Sequence, residues 1–194
     1  MASNTTKAIV RSGGLAGFMI LTALNLILAV PFERLARRGG IKAPTTAFAV
    51  EIASYLAAYA LFALVVSGAI AIAVAIGAPA SARRISMRSA LLAVSAGHYA
   101  LFIPSVLSTA ALLADRAQCK NLGGDALRTC ALSAYGHLGG FVPAQLSGFG
   151  IAVVIVVAVV KKEAMMTWPL TSALTVLPIV AAWGTLELIA TMMR

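Results

Sequence analysis

The sequence predicts an all-α, polytopic transmembrane helix bundle with five spans. Of the 194 residues, 61% are hydrophobic and only 11% are charged. A soluble domain carries roughly 25% charged residues, so this chain lacks the charge to cover a water-facing surface. Charge placement sets the number of spans, because five stretches contain no Asp, Glu, Lys or Arg: residues 12–32, 52–82, 89–114, 129–160 and 164–186. Each stretch reaches the roughly 20 apolar residues that are needed to cross a bilayer core.

Local signals give the bounds of the five helices within a single integral membrane domain, residues 1–194. The second helix starts after Pro44, where a threonine can cap it, and ends at Pro79. Basic pairs precede the third helix and follow the fourth. The predicted helices cover about 12–32, 46–78, 86–114, 131–160 and 168–193.

The first helix has an alternative interpretation as a cleaved signal peptide, with Lys7 and Arg11 as its basic region. No small-x-small cleavage site precedes the exit at Pro31, and the apolar run is long for a signal peptide. These features favour a retained helix.

The net charge of +9 does not indicate nucleic-acid binding, because the basic residues are scattered through short loops beside apolar helices. Counting them does not decide the orientation, since an amino terminus inside puts seven on the inner side and eight on the outer side. The two cysteines, Cys119 and Cys130, both belong to the hydrophilic segment 115–130 and predict a disulfide in an oxidising compartment. We therefore expect a bacterial inner (plasma) membrane protein with a cytoplasmic amino terminus and loop 115–130 outside. Two free thiols are the alternative.

The fourth helix carries a small residue at every fourth position, and residues four apart share one helix face. The resulting groove permits close approach of another helix, within the bundle or in a partner. Its members are Gly136, Gly140, Ala144, Gly148 and Ala152.

Polar side chains inside spans are costly and are therefore candidates for function. Alternating topology places four of them at similar depth on the side of loop 115–130: Asn25, Glu51, His137 and Glu187. Such a set can bind a cation, relay a proton or line a small solute pocket. Each also lies near an interface, where ordinary headgroup contact explains it equally well. No two of these residues have the spacing of a helical metal-ligand pair, so we predict no metal site.

The third helix carries a polar stripe at helical spacing, with Ser95, His98 and Ser105 as its main members, accompanied by Phe102 and Thr109. His98 lies in the opposite half of the membrane from His137, which argues against a haem held by both. An interhelical hydrogen bond is the favoured role of His98, ahead of a catalytic or proton-carrying one. We predict no cofactor, and lipid contacts are expected.

Two stretches resemble the Yip-domain family of five-helix membrane proteins: RRISMRSALLAVSAGHYALFIPSVLSTAALL, from Arg83, and KKEAMMTWPLTSALTVLPIV, from Lys161. The similarity covers helices 3–5, about 110 residues by the extent of those helices. It implies five helices, a cytoplasmic amino terminus, no enzyme activity and a role in membrane organisation or partner binding. The short segment before the first helix departs from the family, whose members usually carry a longer cytosolic region.

The sequence favours a non-catalytic membrane protein that acts as an assembly, scaffold or accessory subunit. Its expected partners are the lipid bilayer and other membrane subunits or further copies of itself. The first alternative is a small transporter or channel subunit with a polar site near the outer side. A weaker alternative is an intramembrane redox protein or other enzyme, for which no catalytic motif is present.

Overall fold

The computed structural model describes residues 12–28, 45–139 and 142–192. Within these ranges the chain is helical and contains no β-strand. A 3₁₀ turn, His98–Leu101, joins the third α-helix to the fourth. The α-helices of the described residues are, in order, α1 Ser12–Leu28, α2 Thr45–Gly77, α3 Met87–Gly97, α4 Phe102–Cys119, α5 Gly124–Gly139, α6 Val142–Ala164 and α7 Trp168–Met192.

Three stretches of the described helices are long and apolar enough to cross a membrane: Ile52–Gly77, Met87–Cys119 and Val142–Ala164. In their most apolar windows only 28%, 44% and 22% of the residues, respectively, are buried inside the protein. Most of the apolar residues in these windows therefore lie on the surface of the protein. The predicted all-helical class is confirmed, with three helices long and apolar enough to cross a membrane, and the number of five spans stays a prediction.

Most helix bounds agree closely with the prediction. α2 and α7 lie within one residue of the predicted 46–78 and 168–193, and residues 12–28 of the predicted first helix are helical. The rest of the predicted first helix, after Leu28, and the basic link to the second lie outside the described residues.

The prediction of a hydrophilic loop over residues 115–130 is wrong. Helix α4 continues to Cys119 and α5 already begins at Gly124, so only four residues connect the two helices. Charged residues end the membrane-crossing part of a helix without ending the helix, because its backbone hydrogen bonds persist in water. The connection turns at Gly123 and Gly124, where the latter adopts a positive φ of 56°.

The predicted helix over 131–160 is helical on both sides of residues 140–141, which lie outside the described part. Helix α5 is described from Gly124 to Gly139 and α6 from Val142 to Ala164, so helical structure begins before the predicted start and continues past the predicted end. Pro143 lies near the start of the described α6 and has no N–H to donate to the Gly139 carbonyl four residues earlier.

The chain divides into two compact units. The first contains α1 up to Leu15, residues Ala58–Tyr99 and the chain from Gly150 onward. Its core includes one face of α2 and small or β-branched residues of α3, α6 and α7. The buried residues of the α2 face recur at helical spacing: Ala63, Val66, Ser67, Ile70 and Val74.

The second unit contains residues Ala16–Ala57 and Ala100–Phe149. At one end of it, α4 and α5 form a helical hairpin. The buried cluster there comprises Leu28, Leu112, Cys119 and Ala131, with Leu127 and Cys130 packed against it. The end of α1 is thereby fixed against the hairpin through Leu28.

The hairpin turn gives a matched test of backbone conformation. A Cβ atom at Gly123 or at Gly124 would meet no other atom within 4 Å, but only Gly124 has a positive φ. We expect Gly124→Ala to lower the free energy of unfolding by about 1–2 kcal/mol, because Cβ crowds the following carbonyl in this conformation. Gly123→Ala should change the stability little. Denaturation of the purified protein by SDS measures both values, and equal values would contradict the assigned turn.

Candidate functional site

The polar stripe on α3 and α4 lies against other helices of the chain. In the first unit, the Ser95 hydroxyl accepts a hydrogen bond from the Leu15 N–H at 2.9 Å and donates to the Ser12 carbonyl at 3.0 Å. Leu15 and Ser12 belong to α1, so these two hydrogen bonds join α1 to α3 through the Ser95 hydroxyl.

Two glycines allow that contact. A Cβ atom at Gly14 would clash with the Ser95 carbonyl oxygen, and one at Gly13 would lie 2.7 Å from the Tyr99 hydroxyl. A Cβ at Gly14 would require a shift of the backbone, whereas one at Gly13 would require the Tyr99 side chain to move. The Ser12-Gly13-Gly14 segment of α1 thus brings its backbone within hydrogen-bonding range of α3.

His98 also forms an interhelical hydrogen bond. Its Nε2 atom lies 2.8 Å from the Tyr59 hydroxyl of α2, and its Nδ1 atom lies 2.6 Å from the Val94 carbonyl oxygen. A carbonyl oxygen only accepts, so Nδ1 carries a hydrogen and a neutral imidazole receives the Tyr59 O–H at Nε2. The two rings meet edge to face, with centroids 5.7 Å apart. His98 is buried, and this geometry holds the 3₁₀ turn after α3 to α2.

In the second unit, Asn25 of α1 connects to α4. Its Oδ1 atom lies 2.7 Å from the Thr109 hydroxyl, and its Nδ2 donates to the Ser105 carbonyl at 3.4 Å. The Thr109 hydroxyl also lies 2.8 Å from the Ser105 carbonyl. The Asn25 amide and the Thr109 hydroxyl therefore join α1 to α4, and both groups also contact the Ser105 carbonyl.

The predicted polar site of Asn25, Glu51, His137 and Glu187 is described only at Asn25. The side chains of the other three residues lie outside the described part of the structure. At Asn25 the amide contacts α4, as given above. The described residues contain no group of three or more His, Cys, Asp or Glu side chains that could hold a metal ion.

The small-residue face of the predicted fourth helix is divided between α5 and α6. Gly136 lies in α5, Gly140 falls outside the described residues, and Ala144 is half-buried on α6. Gly148 is buried in the second unit, where a Cβ atom would lie 3.0 Å from the Ala100 carbonyl oxygen.

Pro104 contributes to this close approach. It lacks the N–H that would otherwise bond the Ala100 carbonyl four residues earlier, and its Cγ lies 3.2 Å from the position of a Gly148 Cβ. A proline and a glycine thus meet where α6 approaches the start of α4.

Ala152 packs closely in the first unit. A Cβ atom at Gly97 of α3 would lie 2.8 Å from the Ala152 carbonyl oxygen and 2.8 Å from a methyl group of Val156. The sequence reasoning did not identify Gly97, Gly13, Gly14 or Tyr59. Gly97 directly precedes His98, and a glycine beside a polar residue in an apolar helix permits another helix to come within hydrogen-bonding distance.

Cys119 and Cys130 form a disulfide, with their Cα atoms 5.9 Å apart. The bond joins the last residue of α4 to the second turn of α5, so it closes the helical hairpin beside its buried cluster. Closing a loop of this size reduces the entropy of the unfolded chain by an amount worth about 3 kcal/mol.

The buried hydroxyl of Thr175 differs from those of Ser95 and Thr109 in its hydrogen bonding. Thr175 of α7 is fully buried, and its Oγ1 has no hydrogen-bond partner among the described residues. Thr171, one turn earlier and also fully buried, donates to its own helix at the Thr167 carbonyl.

These features define a class: a helical protein with helices able to cross a membrane, held together by interhelical hydrogen bonds and close backbone contacts. The comparisons with known proteins go no further. No protein-family model matches the sequence, and neither the curated proteins nor the solved structures give a significant match.

The pair of Tyr59 and His98 gives a test of this assignment. Tyr59→Phe removes the hydroxyl and leaves the Nε2 atom of a buried imidazole without its partner. We expect the free energy of unfolding in detergent to fall by about 0.6–2 kcal/mol. Tyr55→Phe is the control, because Tyr55 lies one turn earlier on α2 and is 56% exposed. Equal stability of the two variants would show that the hydrogen bond contributes nothing.

Proposed function

We propose that this chain is a non-catalytic integral membrane protein that acts as an assembly, scaffold or accessory subunit of a membrane complex. One observation supports this most strongly. Three polar side chains along Met87–Cys119 contact neighbouring helices: Ser95, His98 and Thr109. A serine or histidine that holds two helices together is not poised to attack or shuttle protons to a substrate.

Five spans follow if α1 and α7 also cross the membrane. The described part of α1 is an apolar helix that the sequence continues without charge to Phe32. Helix α7 has 25 residues, which is long enough for a bilayer core about 30 Å thick.

The proposed orientation has the amino terminus in the cytoplasm and the α4–α5 hairpin outside. The disulfide supports this, because such bonds persist in oxidising compartments such as the bacterial periplasm. We place the protein in a bacterial inner membrane, and its resemblance to the Yip-domain family stays a prediction.

The contacts of Gly148 suggest that the small-residue face serves packing within the chain first. A partner would then bind to other apolar faces of the spans, which are largely exposed. Assembly would depend on the small-residue face indirectly, because displaced helices would present those surfaces differently.

Gly148 and Gly150 form a matched pair for the experiment. Both lie on α6, but a Cβ at Gly150 would meet nothing within 4 Å. The measurement is co-purification from native membranes in mild detergent. We expect a stoichiometric partner with the wild type and with Gly150→Leu. With Gly148→Leu we expect its loss or a several-fold reduction, because the added side chain separates α6 from α4.

The carboxylates distinguish the scaffold from the transporter. Glu51→Gln and Glu187→Gln should leave the partner bound and the activity of its complex unchanged. If both changes abolish function while the protein stays folded and inserted, the scaffold proposal is wrong and transport through the polar site is favoured.

A further inference from the structure

The first unit carries two short basic segments that are far apart in sequence. The first runs from the connection between α2 and α3 into the first turn of α3 and contains Arg83, Arg84 and Arg88. The second ends α6 with Lys161 and Lys162. The Arg83 N–H donates to the Ala164 carbonyl at 2.9 Å, so the two segments lie side by side. We call these five residues the basic platform.

The backbone beneath the platform is well fixed. Ala90, Val160 and Ala164 are at most 1% exposed. Helix α6 ends with Met165 in the left-handed conformation, at a φ of 57°, and the Met166 N–H bonds back to the Lys161 carbonyl at 3.4 Å. This arrangement satisfies carbonyls at the helix end and buries Met166. The cations are therefore presented from a preorganised backbone.

Apolar side chains are exposed among the cations. Met87, Met165 and Trp168 are 49%, 66% and 50% exposed, respectively. The Lys161 ammonium lies over the Trp168 ring, 5.0 Å from its centroid. Cations beside exposed methionine and tryptophan side chains are typical of the boundary between headgroups and acyl chains. An acidic protein segment would neutralise the cations but leave these apolar groups in water.

We propose that the basic platform binds the headgroups of anionic phospholipids, with their phosphates at the arginines and lysines and their acyl chains along Met87, Met165 and Trp168. Arginine suits this role because its planar donors match phosphate oxygens two at a time. Glu163 is the only carboxylate within residues 83–88 and 161–168, so the charge balance favours an anion. The inference rests on the proposed membrane insertion but not on the scaffold role.

The chain contains two tryptophans, which supply a probe and an internal control. Trp183 is 51% exposed and lies fifteen residues after Trp168 on α7, about 22 Å away along the helix. The full-length protein is purified as Trp183→Phe, which leaves Trp168, and as Trp168→Phe, which leaves Trp183. Each form is reconstituted into phosphatidylcholine vesicles. One set of vesicles contains brominated phosphatidylcholine and the other contains brominated phosphatidylglycerol at the same mole fraction. The measurement is the quenching of tryptophan fluorescence by the brominated lipid.

At Trp168 we expect brominated phosphatidylglycerol to give a relative binding constant at least about threefold higher than brominated phosphatidylcholine. Trp183 should show no preference. Raising the salt concentration should reduce the preference at Trp168, because screening weakens exposed charges. Arg83→Gln with Arg84→Gln, and separately Lys161→Gln with Lys162→Gln, should each reduce it towards one.

Equal quenching of Trp168 by the two lipids would overturn the proposal and leave an acidic protein segment as the better partner. An equal preference at both tryptophans would overturn it as well, because binding would then not belong to the platform. No quenching by either brominated lipid would instead refute the membrane insertion itself, so the two failures are distinguishable.

Discussion

A polar group inside a hydrocarbon layer has no water to bond, and this constraint accounts for much of the described structure. Leaving such a group without a hydrogen bond costs several kcal/mol. The position of a polar side chain therefore determines where a neighbouring helix must supply a hydrogen-bond partner. The Ser95 hydroxyl bonds the backbone of α1, His98 bonds Tyr59 of α2, and Thr109 bonds Asn25 of α1. Apolar contacts alone would specify these neighbours weakly, because lipid tails are as apolar as leucine.

Close backbone approach is the second requirement, and the glycines meet it. Hydrogen bonds from short side chains such as serine reach a neighbouring helix only where no side chain stands between them. Gly14 provides this at Ser95, and Gly97 and Gly148 provide it along α6. The glycines that face open space, Gly68, Gly150 and Gly184, show that glycine content alone does not identify a packing surface.

Much of the fold class was predictable because it depends on composition. A chain with so few charges, arranged between long apolar runs, leaves few alternatives to membrane helices. The pairing of Cys119 with Cys130 was predictable because the chain contains no other cysteine. The ends of helices that extend into water could not be predicted. Hydropathy marks where a helix leaves the membrane, but it does not mark where the backbone hydrogen bonds of the helix stop. The extension of α4 to Cys119 and the early start of α5 follow from that difference.

The partners of the polar residues could not be predicted in the same way. The spacing of Ser95, His98 and Ser105 placed them on one helix face, but the spacing does not show which helix packs against that face. Tyr59 carried no sequence signal, because a tyrosine in an apolar helix is most often a packing residue.

The central claim is that polar side chains in the bundle act by holding helices together, and a double-mutant cycle at Asn25 and Thr109 tests it most directly. Asn25→Leu and Thr109→Val keep the side-chain volumes nearly constant while removing the hydrogen bond. The free energy of unfolding is measured for the wild type, both single variants and the double variant. A coupling energy of about 0.6–2 kcal/mol is the predicted result. A coupling energy near zero, with all four proteins folded, would contradict the account.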